Sequence, residues 1–421
     1  MQNIKYVDGG ICAPVGFMAA GMQVGISHKP LNTNTVTNEF KPKKKKNDLG
    51  LIVSDTMCSA AAVYTQNKVK GAPIVVTKKH LADGLAKAVI VNSKNANTCN
   101  ADGEEKADAM CKLAANALKI DSSDVIVAST GVIGQVLDIT PIEKNIDALA
   151  DKLSYDGSDA CATAIMTTDT KKKEYAVEFM LKDKVCHIGG ISKGSGMIHP
   201  NMATTLSFLT SDVSITPSLL HTMLSEVVKV TFNRISIDGD QSTNDMACIM
   251  ANGLAKNELI DSKNDDYMVM KDNLLSLMTT LAKDIAADGE GATKLLECTV
   301  SNAPSELTAE TIAKSVIQST LFKTAMFGED ANWGRILCAV GYADAEFDIC
   351  KVDVSLESNK GIIQVCKNGA GVEFSEEKAK TILEEDEIKI LIDLKQGNEA
   401  ATAWGCDLTY DYVKINGDYR S

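Results

Sequence analysis

The step Ala203–Thr204 lies within residues 189–212, GGISKGSGMIHPNMATTLSFLTSD, the stretch of this chain best suited to covalent chemistry. Glycines and a single lysine make a flexible approach to it, and an apolar, β-branched run follows. There the Thr204 hydroxyl can attack the Ala203 carbonyl, take the acyl group from nitrogen to oxygen, and leave Thr204 as a new N-terminus. A freed N-terminal threonine carries nucleophile and base together, because its own α-amine can accept the hydroxyl proton. That amine has an ordinary pKa of about 7.7–8.0, so a neutral fraction exists near pH 7. The plain alternative is a glycine-rich loop that leads into an ordinary strand.

Acyl transfer also needs donors for the oxyanion that develops on the attacked carbonyl. Ser129-Thr130-Gly131 directly follows the apolar run 125–128. Glycine there lets backbone approach a substrate closely, and threonine offers a hydroxyl and an N–H. A simple turn would look the same. Lys193, between Gly190 and Gly194, reads either as a solvated loop lysine or as a substrate contact. Thr167 and Thr168 close a helix-like run in MTTDT, and Glu290 stands just beyond an expected helix end.

Other patterns lack the spacing their chemistry requires. GGISKGSG has neither G-x-x-x-x-G-K-[ST] nor G-x-G-x-x-G spacing, so it is no phosphate cradle. Asp238-Gly239-Asp240 with Asn244-Asp245 lacks the sixth-position glycine and the terminal glutamate of a calcium loop. The five histidines are dispersed and the twelve cysteines form no C-x-x-C pair, so no metal is expected.

The elements that must carry these groups follow from periodicity. Short β-rich runs at 74–77, 88–91 and 125–128 read as strands, with a helix at 104–118 between the second and third. Helices are expected at 145–153 and 158–166, and strands at 175–181, 185–191 and 206–209. Pro217 suits the first turn of a helix Pro217–Val230. Met270, Leu274, Met278, Leu281 and Ile285 stripe a helix over 266–287 that Gly289 stops. Beyond about residue 296 come helices at 309–322 and 332–342 and strands at 352–356, 362–365, 388–394 and 406–415. Strands and helices mixed without steady alternation predict an α+β protein rather than a doubly wound sheet.

Composition bounds the setting. The 421 residues allow two or three core-forming units, with 45% hydrophobic and 24% charged residues. A net charge of −13 speaks against nucleic acid, and the one basic run, 41–46, has no aromatics and reads as a solvated loop. No stretch is long and apolar enough for a membrane span, and MQNIKYVDGG does not read as a signal peptide. Cysteines set among apolar residues suit buried, reduced thiols, hence a cytoplasmic protein.

KGSGMIHPNMATTLSFLTSD resembles the cleavage signature of the ornithine acetyltransferase family, the glutamate N-acetyltransferases of arginine biosynthesis. NSKNANTCN from Asn92, ASTGVIG from Ala128, RISIDGDQSTND from Arg234, FGEDANWGRILCAVGYA from Phe327 and NGDYRS from Asn416 fit the same family in the same order. Two departures are Lys94, where glycine is expected, and the enlarged loop near residue 44. The resemblance implies a layered sandwich of mixed sheets flanked by helices, like that of N-terminal-nucleophile enzymes. Cleavage would give an α product, 1–203, and a β product, 204–421, with a C-terminal subdomain from about 300. Catalytic roles fall on Thr204, Thr130 and Gly131. Substrate contacts fall on Thr167 (with Thr168 beside it as the alternative), Lys193, Thr204, Glu290, Asn416 and Ser421.

The expected reaction moves acetyl from N-acetylornithine to glutamate through an acetyl-threonine, releasing ornithine. No cofactor is implied, whether acetyl-CoA serves as a second acetyl donor stays open, and the expected assembly is a heterotetramer of two α and two β chains. The alternatives are an amidohydrolase of N-terminal-nucleophile type and an uncleaved amino-acid-binding protein.

Overall fold

A computed structural model describes residues 4–26, 46–199 and 205–418. The expected scissile pair Ala203 and Thr204, the terminal Ser421 and residues 41–45 of the basic run lie outside the described residues. The chain divides into two compact units: Met1–Gly194, Asn201–Asn233 and Gln241–Leu281 form the first, and Ser195–Pro200, Arg234–Asp240 and Ala282–Ser421 the second.

Among the described residues the first unit holds a nine-stranded mixed sheet. Its strands are β1 (Lys5–Val7), β2 (Phe17–Met22), β3 (Leu49–Tyr64), β4 (Leu85–Asn92), β5 (Val125–Ser129), β6 (Lys173–Leu181), β7 (Lys184–Lys193) and β8 (Leu206–Ser211). After the short β9 (Ile235–Ser236), which belongs to the second unit, comes its last strand, β10 (Met246–Ala251). The order is β1-β6-β7-β8-β10-β3-β4-β5, with β2 also on β3. The pairs β4–β5 and β8–β10 are parallel and the rest antiparallel. β3 serves two neighbourhoods: Leu49–Val53 and, after a register shift, Cys58 and Ser59 pair with β4, while Ser59–Tyr64 pairs with β10.

Helices α1 (Ala72–His80), α2 (Gly103–Leu118), α3 (Thr140–Ala150), α4 (Ser158–Ile165), α5 (Pro217–Val230) and α6 (Asp265–Ala287) surround these strands in sequence. Alternation along the strands feeds two apolar cores. Ala88, Ile90, Val125 and Val127 meet Val76, Met110, Cys111 and Ile142 of α1 to α3. Val89, Val91, Ile126 and Ala128 point the other way, into a core with Cys161, Ile165 and Phe208.

In the second unit β9, β11 (Leu295–Ala303), β12 (Asp353–Ser358), β13 (Gly361–Lys367), β14 (Ala370–Gly371), β15 (Glu387–Asp393) and β16 (Glu399–Cys406) form a mixed sheet of order β14-β13-β12-β15-β11-β16-β9. Helices α7 (Glu306–Gln318), α8 (Thr320–Phe327), α9 (Trp333–Gly341) and α10 (Glu376–Leu383) supply Ile312, Val316, Phe322, Ile336 and Ile382 to its core. The last helix is α11 (Tyr410–Gly417). The α+β expectation is met.

Four sequence-based assignments are corrected. Residues 74–77 are helical, in α1, with Pro73 in its first turn. Tertiary contact overrides their β-branched preference: the Thr77 hydroxyl donates to Val127 O (2.8 Å) and accepts from Val127 N (3.0 Å), closing the open edge of β5. The helix expected at 145–153 begins earlier, at Thr140, where Pro141 suits the first turn. The helix expected over 309–322 is two helices, broken at extended Ser319 (ψ 110°), whose hydroxyl accepts from Phe322 N. The strand expected at 406–415 ends at Cys406; Thr409 then caps α11 by accepting from Asp411 N.

Candidate active site

In the first unit the Thr130–Gly131 turn leaves β5 under close restraint. The Ser129 hydroxyl bonds Asn92 Oδ1 (2.5 Å), and Asn92 Nδ2 donates to Asn95 O (3.0 Å). Thr130 N donates to Asn92 O (3.0 Å) and Val132 N to Lys94 O (3.0 Å). Of the two donors that Thr130 offers, the N–H is therefore committed to the fold. Among the described residues no hydrogen bond engages the Thr130 hydroxyl or the Gly131 N–H. Gly131 has φ 127°, a backbone that side chains rarely tolerate, and facing it Lys94 has φ 91° without being a glycine. The departure at Lys94 thus falls on a position whose backbone does favour glycine.

Lys193 ends β7 opposite Leu206 and is only 8% exposed, so it is no solvated loop lysine. Two buried carboxylates accompany it. Asp169 Oδ1 accepts from Lys173 Nζ (2.8 Å) and Gly194 N (2.7 Å), and its Oδ2 accepts from Thr167 N (3.0 Å). One carboxylate thereby ties the Thr167 turn to the backbone that follows Lys193. Burial alone would raise the pKa of Asp169, but the Lys193 and Lys173 charges outweigh it and hold the carboxyl well below its usual range. Asp245 is the opposite case: burial pushes it well above that range, against the opposing pull of a Ser242 hydrogen bond and the Lys193 charge.

In the second unit two expected substrate contacts meet directly. Asn416 Nδ2 donates to Glu290 Oε2 (2.7 Å), and Glu290 is 8% exposed just past α6. Glu290 N donates to Ser195 O (2.8 Å) and the Ser195 hydroxyl to Asp288 O (2.7 Å). Gly196 lies against the Glu290 carboxyl, where an added Cβ would stand 2.4 Å from it. The residues ahead of the expected cleavage step are held by Asp238, whose carboxylate accepts from Met197 N (2.6 Å), Ile198 N (2.9 Å) and the Tyr412 hydroxyl (3.3 Å). Asp238, discounted above as a calcium ligand, acts here as an acceptor for backbone. Among the described residues no group of His, Cys, Asp or Glu is placed to hold a metal ion.

Most of the thiols are core residues. Eight of the cysteines are buried, and burial pushes Cys58, Cys111, Cys186 and Cys248 up to about 12, which leaves them as protonated core residues. No described helix is long and apolar enough to cross a membrane.

An α+β protein with a threonine–glycine donor turn and a buried lysine between carboxylates fits an acyl-transfer enzyme. The sequence matches the ArgJ family over residues 32–421, and the chain belongs to that family. It is 51% identical over 377 residues to the arginine biosynthesis bifunctional protein ArgJ 1 of Clostridium acetobutylicum, covering 89% of this chain and 92% of that one. Its identity to the arginine biosynthesis bifunctional protein ArgJ of Caldanaerobacter subterraneus subsp. tengcongensis is 46% over 419 residues, 99% of this chain and 100% of that one. Among solved structures it is similar to the ornithine acetyltransferase of Mycobacterium tuberculosis in complex with ornithine, at 31% identity and TM-score 0.41, with 48% of this chain covering 100% of that one. The family resemblance is confirmed, and the protein is an acetyltransferase of arginine biosynthesis.

Sequence reading missed Asn92, Asp169, Asn244 and the backbone role of Asp238. Asp169 and Lys173 stand four apart but in a non-helical stretch, so helical ion-pair spacing gave no signal for them. Asn92 and Asn244 left a weak signal, as amides at the borders of apolar runs, where a buried amide must find partners.

Proposed function

We propose that this enzyme carries acetyl from N-acetylornithine to glutamate by a two-step exchange on Thr204. Thr204 attacks the amide carbonyl, its α-amine takes the hydroxyl proton and passes it to the amide nitrogen as the C–N bond breaks, and ornithine leaves. Glutamate then attacks the acetyl ester, giving N-acetylglutamate and the free threonine. The Thr130 hydroxyl and Gly131 N–H stabilise the oxyanion in both steps.

The observation that carries this reading is the Thr130–Gly131 turn. Its Thr130 N–H is spent on Asn92 O, while among the described residues no partner takes its hydroxyl or the next N–H, which suits them to a developing charge. Thr167, Lys193, Glu290, Asn416 and Ser421 are the substrate contacts of this reading. Glu290 suits the side-chain ammonium of N-acetylornithine, and Lys193 a carboxylate.

Thr204 becomes an N-terminus by self-cleavage after Ala203, so the active enzyme is a pair of chains in an N-terminal-nucleophile-like sandwich, assembled as two α and two β chains. It works in the cytoplasm, consistent with its many buried free thiols, and uses no cofactor. Acetyl-CoA is a candidate second donor.

Incubation with glutamate and either N-acetylornithine or acetyl-CoA, followed for N-acetylglutamate, tests the exchange and the second donor separately. N-Acetylglutamate formed from N-acetylornithine supports the exchange, and none formed overturns it. Mass spectrometry of active protein should show a fragment that begins at Thr204; an intact active chain would overturn the self-cleavage step.

A further inference from the structure

Asn244 lies in the segment RISIDGDQSTND, which fits the family but has no chemistry attached to it so far. Its side chain is buried, with the residue 6% exposed. Nδ2 donates to Ala96 O (2.6 Å) and to Ser129 O (3.0 Å), while Oδ1 accepts from the hydroxyls of Thr98 (2.6 Å) and Thr243 (2.6 Å). A primary amide has two donor hydrogens and two acceptor lone pairs, so all four are in use.

The two carbonyls it holds flank the donor turn. Ser129 immediately precedes Thr130, and Ala96 N donates to Val132 O (3.0 Å) on the far side of Gly131. The Ser129–Thr130 peptide is a rigid plane. Its oxygen is held by Asn244 and its N–H by Asn92 O (3.0 Å), which leaves that plane little room to rotate.

We propose that Asn244 is a positioning residue for the oxyanion donors, keeping the Thr130 hydroxyl and Gly131 N–H in line with the reacting carbonyl. The inference rests on the reading of Thr130–Gly131 as the oxyanion hole. Asn244 touches no substrate; it acts through the peptide that carries the donors. Replacing its amide by a carboxylate would keep the shape and set oxygen against the Ala96 and Ser129 carbonyls.

A second probe reaches the same amide from the other side. Gly71 has an ordinary φ of −62°, so alanine is allowed there, yet its Cβ would fall 2.5 Å from Asn244 Nδ2 and 2.7 Å from Cγ. Gly71→Ala should therefore push the amide without changing its chemistry.

The test measures kcat and both KM values for transfer from N-acetylornithine to glutamate, with Tm recorded for each variant. Asn244→Asp and Gly71→Ala are each expected to lower kcat roughly 10- to 100-fold, as when a catalytic group is held about an ångström out of place, with KM unchanged. Asn244→Asp combined with Thr130→Ala should lose less than the product of the single losses, because both act on one device. Losses that multiply, or that appear in KM alone, overturn the proposal. If Asn244→Asp does not fold, Gly71→Ala decides: unchanged kcat overturns it. If Thr130→Ala slows the enzyme but neither other variant does, only this proposal fails; if Thr130→Ala has no effect, the oxyanion reading fails and takes the proposal with it.

Discussion

The carbonyl carbon of Lys94 lies 2.1 Å from the point where a Cβ on Gly131 would stand, so the two backbones meet with no room for a side chain between them. Both residues have positive φ, 91° at Lys94 and 127° at Gly131. Lys94 O also accepts from Val132 N (3.0 Å), so the strained lysine is one wall of the donor turn.

Lys94→Gly is expected to raise stability. Relief of a left-handed L-residue contributes roughly 1–2 kcal/mol. The greater freedom of glycine in the unfolded chain offsets roughly 0.5–1 kcal/mol of that. Urea denaturation of the two proteins should show the variant more stable; a loss would mean that the contacts of the lysine side chain outweigh the backbone strain.

Thr130→Ala keeps the backbone N–H that bonds Asn92 O and removes only the hydroxyl, so the turn should stay in place. Losing one oxyanion donor costs about 2.7–4 kcal/mol of transition-state stabilisation, roughly 10²–10³ in kcat. Steady-state kinetics should show that fall with KM little changed. An effect confined to KM would move Thr130 from the reacting centre to substrate binding.

Glu290→Gln should weaken use of N-acetylornithine more than use of glutamate, because only the former presents an ammonium. Loss of a hydrogen bond to a charged group is expected to remove about 1.5–3 kcal/mol. Glutamine can still accept from Asn416 Nδ2, now 2.7 Å from Glu290 Oε2, so the local structure should survive. Equal losses of kcat/KM for the two substrates would assign Glu290 to the fold or the shared reacting centre.

His187 gives the first unit a pH-dependent contribution to stability. Its Nδ1 lies 2.9 Å from Asp212 Oδ2, its Nε2 is 3.4 Å from Glu178, and its pKa is raised, first by the Asp212 hydrogen bond and then by both carboxylate charges, against the effect of burial. A raised histidine pKa means that the stabilisation is complete below the unfolded value of about 6.5 and fades as pH rises through the higher folded value. The difference in Tm between wild type and His187→Gln should accordingly shrink from pH 5 to pH 9. A difference that stays constant over that range would show that the ring contributes through packing.

Much of the scaffold is legible locally. α2, α5 and α6 follow from apolar residues at helical spacing, and Pro217 marks the start of α5. β4 and β5 follow from short apolar, β-branched runs, so the place where Thr130–Gly131 leaves the sheet was readable as well. The misreadings arose where a distant partner outweighs local preference. Thr77 is helical while its hydroxyl serves Val127, fifty residues away, and Ser319 breaks a helical pattern by capping the next helix.

The sequence by itself determined the class of the protein, its family and the residue types of its chemistry, because these depend on identity and order along the chain. Only the tertiary structure decided which groups are free to act. It committed the Thr130 N–H to Asn92, buried Lys193 with Asp169 and Asp245, joined Asn416 to Glu290, and brought Asn244 against the Ser129 carbonyl 115 residues away. The physical reason is that a buried polar group must be satisfied by whatever folding brings beside it, and that partner has no fixed spacing in sequence.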